Sequence, residues 1–402
     1  MYNRLDKVVD TSGGANQIKV RAYNERLVLS LVRRHGNLPK SEIARKTGLS
    51  AQTASVIMRS LESEGLLLRG TPQRGKVGQP SVPMSLNPEG VFSIGLKIGR
   101  RSAELILVDF LGDRQKAIHK NYHYPLPHEI LEFARSGLEE LFASLKPEQE
   151  KNVAGIGISL PFELWNWAEK VGAPKGEMDL WKDYDFANEF KAITDLPIFI
   201  QNDATSACGA ELIFGRGSEF SDFVYFFIGT FIGGGIVLNH SIYSGRTGTA
   251  GAIGPMPALE KNGDVTQLID LASIYQLENR LKEKDIDPSP LWLNQNEWLG
   301  FEEELESWIG TTARHLAIAI ASCCSVIDFE AIIIDGGFPF NVREAIVNKT
   351  KAEFEKLDLQ GIIEPVILEG VVGSAARALG GASLPLFNRY LLDQNILFKE
   401  MS

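Results

Sequence analysis

The feature that most constrains this sequence is a pair of short helical segments separated by a three-residue break. Pro39 suits the first turn of a helix over residues 39–47, and Thr47-Gly48-Leu49 forms the break. Ser50 can cap a further helix that runs to about Glu64. The apolar residues of this further helix recur at helical spacing and predict its buried face: Ala54, Ile57, Met58 and Leu61. The pattern predicts a helix-turn-helix.

Flanking segments complete a small N-terminal domain, which we place at residues 1–88. A polar arm at 1–20 precedes a first helix at 24–35, whose apolar residues also recur at helical spacing. After the helix pair, two apolar runs lie on either side of a polar, basic tip within residues 66–84. This arrangement predicts a strand-loop-strand wing. We therefore expect a winged helix-turn-helix.

Charge is distributed unevenly along the chain. Residues 1–90 contain 14 Lys and Arg against 7 Asp and Glu, whereas the remaining residues contain 27 against 44, within a formal net charge of −10. Basic surfaces attract the phosphate backbone of nucleic acids, and acidic surfaces repel it. The N-terminal domain is therefore expected to bind double-stranded operator DNA. A protein-interaction module of the same three-helix shape is the alternative, and the basic balance together with the wing favours DNA.

Two groups of side chains are the expected DNA contacts. Residues in the first turns of a recognition helix reach base edges or phosphate. The helix residues expected at the DNA are Gln52, Thr53 and Ser55 at bases and Arg59 at phosphate. In the wing, cations and glycines allow a backbone to enter the minor groove, although a flexible charged turn would contact nothing specifically. The wing residues expected at the DNA are Arg74, Lys76 and Gln79.

Beyond a linker at residues 86–90, short buried strands alternate with helices. A strand begins near Phe92, and a hairpin turn is expected at Gly112-Asp113. Later strands are expected in the segments VAGIGIS, PIFIQ, DFVYFFIG, GIVLN and AIIID, and helices near 128–144, 204–213, 301–325 and 340–357. This alternation predicts an α/β body. We place its two lobes at 89–200 and 201–402, with a C-terminal segment that could return to the first lobe.

The composition and the cysteine spacing indicate the cellular compartment in which we expect this protein to function. A content of 44% hydrophobic residues over 402 positions suffices for one small core and one or two larger ones. The sequence contains no run of about 18 apolar residues and no signal-peptide layout, so we expect a cytoplasmic protein without membrane partners. Cys208, Cys323 and Cys324 have neither disulfide nor metal spacing and are expected to be reduced.

Several segments together carry a resemblance to a known family. They are GQPSV after the wing, GIGISLP at 155–161, IQNDATSACGAE at 200–211, GTFIGGGIV at 229–237, GTAGAIG at 248–254 and the late segment GGASLPL. Each glycine run alone is a weak signal, because any tight hairpin uses such residues. Together they resemble the ROK family of repressors, open reading frames and sugar kinases. The sequence is similar to its transcriptional-regulator branch, which includes xylose and N-acetylglucosamine repressors.

The resemblance implies an actin-like ATPase fold with two lobes around a cleft, where the family's kinases bind sugar and ATP. In those kinases the Asp of an Asn-Asp pair acts as base, and it matches Asp203, which follows Asn202. The family's Asp-x-Gly-x-Thr phosphate loop reads Lys97-Ile98-Gly99-Arg100-Arg101 here, so a cation replaces the acid that organises Mg²⁺. Phe231 occupies a position that is usually glycine. We therefore expect no kinase activity and no cofactor.

The zinc and sugar elements of the family are also altered. Its Glu-x-Gly-His segment reads Ala252-Ile253-Gly254-Pro255 here, and its cysteine cluster is absent from residues 256–270. Ile269 stands where a glutamate usually follows that cluster, and in a looser alignment the neighbouring Asp270 takes this position. Since the aligned ligands are missing, no structural metal is expected.

The resemblance still leaves a body that can sense a ligand. The expected effector-binding residues are Asn202, Asp203, Lys97 and Arg101, and the cations favour an anionic effector over a neutral hexose. Alternatively, Asp203 only caps the helix that follows it, and Asn202 only satisfies local backbone groups. In the same alternative, Arg100 and Arg101 are solvated in a hairpin turn and Lys97 pairs with a nearby carboxylate.

We expect a DNA-binding repressor of carbohydrate-utilisation genes that forms a homodimer or a higher homo-oligomer and responds to a sugar or sugar derivative. A carbohydrate kinase with a regulatory head and a ligand-blind dimeric scaffold are the two alternatives.

Overall fold

The computed structural model of the chain describes residues 17–72, 82–168, 172–174, 176–260, 262–294 and 296–392. The chain forms two compact units. The first, called here the head, comprises Met1–Gly90 together with Phe387–Ser402, and the second, called here the body, comprises Val91–Leu386. The head therefore extends slightly beyond residue 88. It also includes a C-terminal segment that the sequence pattern assigns to the second lobe.

The head consists of three helices and a small antiparallel sheet. Its elements are α1 (Gln17–His35), β1 (Leu38–Pro39), α2 (Lys40–Thr47), α3 (Ala51–Ser63), β2 (Leu67–Arg69) and β3 (Pro83–Leu86). The strands lie in the order β1-β3-β2, so β2 and β3 pair as the expected wing strands. The described part of α1 begins at Gln17 rather than at residue 24, so the end of the expected polar arm is helical.

The turn between α2 and α3 follows from its residues. Gly48 has φ 71°, a left-handed conformation that glycine adopts at no steric cost, and it ends α2. The Ser50 hydroxyl accepts a hydrogen bond of 3.1 Å from the Thr53 backbone N–H and caps α3. All four residues expected on the inner face of α3 are buried: Ala54, Ile57, Met58 and Leu61. The helix-turn-helix predicted from the sequence is confirmed.

The last described residues of the chain pack within the head. The Leu392 backbone N–H donates a 2.8 Å hydrogen bond to the hydroxyl of Ser30, which lies on α1. Leu391 is buried beside them. The segment from Phe387 onward is thus part of the head, although it lies at the far end of the sequence.

The first sheet of the body has the order β6-β5-β4-β7-β8. Its strands are β4 (Phe92–Ile98), β5 (Ser102–Asp109), β6 (Arg114–Asn121), β7 (Val153–Leu160) and β8 (Ile198–Asn202). Strands β4, β5 and β6 form antiparallel hairpins, whereas β4, β7 and β8 are parallel. The accompanying helices are α4 (Pro127–Phe142), α5 (Pro147–Glu150) and α6 (Phe186–Lys191). The parallel strands end at one edge, where ligands of open α/β sheets bind.

The second sheet has the order β11-β10-β9-β14-β15. Its strands are β9 (Phe223–Ile228), β10 (Ile232–Leu238), β11 (Ser241–Ile242), β14 (Ala331–Gly336) and β15 (Val366–Glu369), and a separate hairpin contains β12 (Pro257–Leu259) and β13 (Val265–Gln267). The helices are α7 (Asp203–Phe214), α8 (Ile269–Ala272), α9 (Ile274–Glu283), α10 (Pro290–Leu293), α11 (Glu302–Cys324), α12 (Phe340–Phe354) and α13 (Ala376–Arg389). The expected α/β body is confirmed.

Helix α13 packs against the first sheet. The Ser93 hydroxyl donates to the Ala382 carbonyl, and the Ser159 hydroxyl donates to the Arg377 carbonyl, both at 2.7 Å. A Cβ at Gly157 would lie 1.8 Å from the Gly381 carbonyl oxygen, so only glycine permits this approach. The contacts place Arg377 at the end of β7.

Within the described part of the chain, no helix combines the length and the apolar character that crossing a membrane requires.

Candidate functional site

The outer face of α3 displays polar side chains in its first turns. Gln52, Thr53 and Arg59 are exposed and Ser55 is partly buried. The Thr53 hydroxyl lies 2.9 Å from that of Ser50, and the Arg59 Nε–H donates to the Ser55 carbonyl at 3.2 Å. The structure therefore brings these four expected contacts together on one helix. Arg74, Lys76 and Gln79 lie outside the described residues.

Val56 lies on the same face of α3, and it is not among the DNA contacts expected from the sequence. Its side chain is 48% exposed, although its neighbours Ile57 and Met58 are buried. An exposed aliphatic side chain on such a helix can contact the methyl group of thymine. The helical period of the buried stripe would have identified Val56 as an outward position.

The body contains two adjoining cavities. One has a volume of about 420 Å³ and lies against Asn202, Asp203 and Phe231. The other has a volume of about 550 Å³ and lies against Lys97 and Arg101. The four expected effector residues are thus divided, two in each cavity. The side chains of Arg100 and Arg377 line both cavities, so the two share a wall of guanidinium groups.

Asn202 and Asp203 have different roles at the start of α7. The Asn202 Oδ1 accepts hydrogen bonds from the backbone N–H groups of Ala204 and Thr205, at 3.1 and 3.2 Å. Asn202 is therefore the helix cap, a role that the alternative interpretation gave to Asp203. The Asp203 carboxylate instead forms an ion pair of 3.4 Å with Arg377. Both side chains still line the 420 Å³ cavity.

Lys97 lies at the end of β4 and is only 8% exposed. Its Nζ donates a 2.8 Å hydrogen bond to the Ser102 hydroxyl. Burial, followed by the nearby charge of Arg377, lowers the pKa of Lys97 to about 7. The side chain is therefore a cation that loses its proton near neutral pH.

Arg100 is buried rather than solvated, so that alternative is wrong for this residue. It is 8% exposed, and its guanidinium carbon lies 3.7 Å from the ring centroid of Trp167 and 3.2 Å from that of Phe231. These rings provide cation–π contacts. Burial lowers the pKa of the guanidinium below its ordinary value. The Phe231 ring thus contacts Arg100, which the sequence could not show.

Arg101 extends to the opposite lobe. Its Nη2 lies 2.7 Å from the carboxylate of Glu278 on α9, and Glu278 is 1% exposed. Lys282 also pairs with that carboxylate at 2.7 Å. Arg101 is therefore an interlobe contact that shares one buried acid with Lys282.

Further polar groups surround the 420 Å³ cavity: Glu163, Asn166, Gln267 and Asp270. The sequence pointed to Asp270 beside Ile269 and missed the other three. Glu163 has φ 49°, an uncommon backbone conformation that clusters at functional sites. Its carboxylate accepts a 2.7 Å hydrogen bond from the Asn166 amide. Asn166 lies in a single 3₁₀ turn, Gln267 at the end of β13 and Asp270 in the one-turn helix α8. Elements this short carry no periodic pattern that would mark these residues.

The altered zinc and sugar segment borders the same cavity. Ala252, Pro255 and Ile269 all line it, so apolar groups occupy positions where the resemblance implies polar or metal-binding ones. Throughout the described ranges, no group of three or more His, Cys, Asp and Glu side chains is arranged to hold a metal ion.

Two family models match the chain. The model of the winged helix-turn-helix DNA-binding family matches residues 21–67, and that of the ROK family matches residues 93–386. The first match covers the helices of the head, and the second covers nearly the whole body. The predicted winged helix-turn-helix is confirmed.

Curated relatives include repressors. The protein y4fQ of Sinorhizobium fredii is 22% identical over 92% of both chains. The xylose repressor of Bacillus spizizenii is 26% identical over 62% of this chain and 64% of its own. The DNA-binding transcriptional dual regulator NagC of Escherichia coli is 25% identical over 61% of this chain and 60% of its own. The matches to the two regulators therefore span less than two thirds of their length.

Solved structures share the fold. A ROK family transcriptional regulator, a homologue of the E. coli MLC protein, superposes with a TM-score of 0.64 at 19% identity and covers 95% of this chain and 99% of its own. The ROK hexokinase of Thermus thermophilus has a TM-score of 0.53 at 22% identity and covers 73% of this chain and 97% of its own. The body thus has the fold of a sugar kinase, and the family match over residues 93–386 establishes that this chain belongs to the ROK family.

Proposed function

We propose that this protein is a transcription regulator that represses carbohydrate-utilisation genes by binding operator DNA through its head. The observation that carries the proposal is the exposed face of α3, where Gln52, Thr53 and Arg59 lie on a helix whose opposite side is buried. Such a helix presents base-reading groups to the major groove. The names of the xylose and N-acetylglucosamine regulators support a role in sugar metabolism.

We infer that the body binds rather than phosphorylates its ligand. A kinase of this fold needs carboxylates to hold Mg²⁺ against the phosphates. Here the cavity that would hold them is lined by Lys97, Arg100 and Arg101. Its carboxylate Glu104 is paired with Arg114, and Asp203 is paired with Arg377. A base that is neutralised by an arginine is poorly suited to accept a proton from a hydroxyl. No observation on the described residues favours the kinase alternative.

The 420 Å³ cavity supports an effector site over the ligand-blind scaffold. Its volume lies in the range of small-molecule pockets, and it combines aromatic walls with several amide and carboxylate groups. A small carbohydrate or a carbohydrate derivative fits this chemistry. We infer that its binding changes the affinity of the head for DNA, and that two copies of the chain bind two half-sites.

Gel-shift measurements with the full chain test the DNA-binding proposal. The probe is the DNA upstream of the protein's own gene, compared with a scrambled fragment of equal length. We expect at least 100-fold tighter binding to the upstream fragment at physiological salt. Equal affinity for both fragments would contradict the proposal.

A coupled ATPase assay over a panel of sugars tests the enzyme alternative. We expect no turnover above the no-enzyme control with Mg²⁺ and ATP present. A measurable, sugar-dependent rate that is lost in Asp203→Asn would restore the kinase.

A further inference from the structure

The wall shared by the two cavities carries unsatisfied positive charge. Arg100 and Arg377 line both cavities, and the Nε of each is buried without a hydrogen-bond partner among the described residues. A buried guanidinium N–H without an acceptor costs free energy, so such groups call for an explanation. A group that accepts hydrogen bonds and carries negative charge would satisfy both.

The surrounding acids do not balance these cations. Arg101 and Arg114 in the same cavity are paired with Glu278 and Glu104. Among the residues that the structure describes, Asp203 forms one ion pair, with Arg377, at a long 3.4 Å. Arg100 forms no ion pair within the described residues and has aromatic rings in contact instead.

Lys97 contributes a third cation at this place. It lines the 550 Å³ cavity with Arg100 and Arg377, and its amino group has Ser102 rather than a carboxylate as hydrogen-bond partner. Three cations therefore converge with two acids that already have arginine partners: Asp203, which pairs with Arg377, and Glu104, which pairs with Arg114. Lysine and arginine bind phosphate directly, whereas Mg²⁺ requires carboxylate or other oxygen ligands, and both carboxylates at this place are paired with arginines.

We propose that Arg100, Arg377 and Lys97 bind the phosphate group of a small organic phosphate, without a metal ion, while its hydroxylated part occupies the 420 Å³ cavity. This site is the effector site of the proposed function, and its effect on DNA rests on that function. The phosphate lies at the shared wall, where both arginines reach it. Asn202, Asn166 and Gln267 line the adjoining cavity and offer amide groups to hydroxyls.

The site couples ligand binding to protonation. The groups that face Lys97 are Glu104 and Ser102 on β5, Asp203 on α7 and Arg377 on α13. Tyr122 on the neighbouring segment donates its hydroxyl to the Gly99 carbonyl. A bound dianion favours the charged form of Lys97, so it raises the pKa from about 7 and the complex takes up a proton. Affinity therefore falls as the pH rises through 7.

Isothermal titration calorimetry of the full chain in EDTA tests the anion site. The probes are inorganic phosphate and sulfate, which need no choice of sugar. We expect saturable binding with a Kd in the millimolar range or below. Arg100→Gln and Arg377→Gln should each weaken it at least 10-fold. The control is Arg135→Gln on α4, an exposed arginine paired with Glu132 that should stay within 2-fold of wild type.

Sulfate keeps its charge across the neutral range, so its pH dependence reports on the protein. We expect the affinity for sulfate to fall by up to about 10-fold per pH unit above pH 7 in the wild type, and to be nearly flat in Lys97→Met. Circular dichroism verifies that each variant is folded. If both arginine variants fail to fold, this pH comparison and the wild-type titration still decide the question.

Two results would overturn the anion site: no saturable binding of phosphate or sulfate by the wild type, or unchanged binding in folded Arg100→Gln and Arg377→Gln. Glycerol 3-phosphate and glucose 6-phosphate, each compared with its neutral parent, distinguish an ester from free phosphate. Binding of an ester more tightly than inorganic phosphate is expected. If every ester binds more weakly than inorganic phosphate, the occupant is free phosphate and the ester assignment is wrong.

The test of the anion site and the test of the proposed function can fail independently of each other. Tight, sequence-specific DNA binding without any phosphate binding would overturn this inference and leave the regulator intact. Phosphate binding without specific DNA binding would do the reverse.

Discussion

Lys97 is a buried lysine whose amino group changes its charge near neutral pH. Its amino group is buried beside Arg377 and has a pKa of about 7, whereas a lysine in an unfolded chain titrates near 10.5. Between these values the unfolded state binds one more proton than the folded state. The free energy of unfolding that depends on Lys97 therefore rises with pH across this window and is constant below it.

Lys97→Met tests this linkage. We expect the free energy of unfolding of the wild type, measured relative to the variant, to increase from pH 7 to pH 9 by up to about 1.4 kcal/mol per unit. Methionine is an unbranched side chain of similar length to lysine, and it carries no charge. Urea denaturation of both proteins at several pH values, followed by the fluorescence of the body's tryptophans, measures the difference. A difference that stays constant over this range would show that Lys97 remains protonated.

On the head, Gln52 and Arg59 are expected to differ in what they contribute. Gln52→Ala removes a side chain that reads base edges, so it should reduce discrimination between operator and random DNA by about 1–3 kcal/mol. Arg59→Ala should weaken binding to both DNAs alike, because phosphate contacts carry no sequence information. Fluorescence anisotropy with both DNAs measures each affinity. If Gln52→Ala kept full discrimination, our placement of the recognition helix would be wrong.

Among the elements of the head, the wing is expected to raise the affinity for DNA through its positive charge and to contribute little to sequence specificity. Arg74→Ala combined with Lys76→Ala should weaken binding to all sequences and lower the slope of log affinity against log salt by about 1–2. Titrations at four salt concentrations give the slope. An unchanged slope would mean that neither cation contacts phosphate.

The hairpin and loop at residues 252–270 should bind no zinc. The aligned histidine and cysteines of the family are replaced there, so purified protein should contain much less than one zinc per chain. Elemental analysis after dialysis measures the ratio. About one zinc per chain would mean that the alignment of this segment is wrong.

Local signals account for much of the element pattern. Ser50, Gly48 and the apolar stripe of α3 identify that helix from sequence, because capping and periodicity act over a few residues. The helical residues before position 24 were missed, because Ile18, Val20 and Ala22 alternate with other residues, a spacing typical of a strand rather than of a helix. The alternative interpretation expected bonds from Asn202 to local backbone groups, and these are confirmed. It gave the cap itself to Asp203, because either side chain can cap, and only the structure shows that Asp203 pairs with Arg377.

The site was harder to predict than the fold for a physical reason. Lys97 and Asp203 could be identified because a family motif passes through them. Arg100 and Arg377 are distant in sequence, and their meeting at one wall depends on how α13 packs against the first sheet. The burial of a charged residue in a hairpin turn contradicts its local preference for solvent, so tertiary packing alone determines it.

For the whole molecule, we expect two copies on one operator. Full-length protein should form dimers in analytical ultracentrifugation and protect two half-sites whose centres are separated by one or a small multiple of a helical turn, about 10.5 base pairs. Binding should be weaker by at least 10-fold when five base pairs are inserted between the half-sites, because the two heads then face opposite sides of the duplex. Equal affinity for both spacings would indicate independent monomers.

The head is built from both ends of the chain, and this limits how heads can be exchanged between related proteins. Its last described residues follow the entire body, and Leu392 is hydrogen-bonded to Ser30 on α1. Transfer of the coding region for residues 1–90 alone would leave out part of this compact unit. An exchange of heads between relatives therefore needs two coordinated junctions, one on each side of the body in the gene, rather than one.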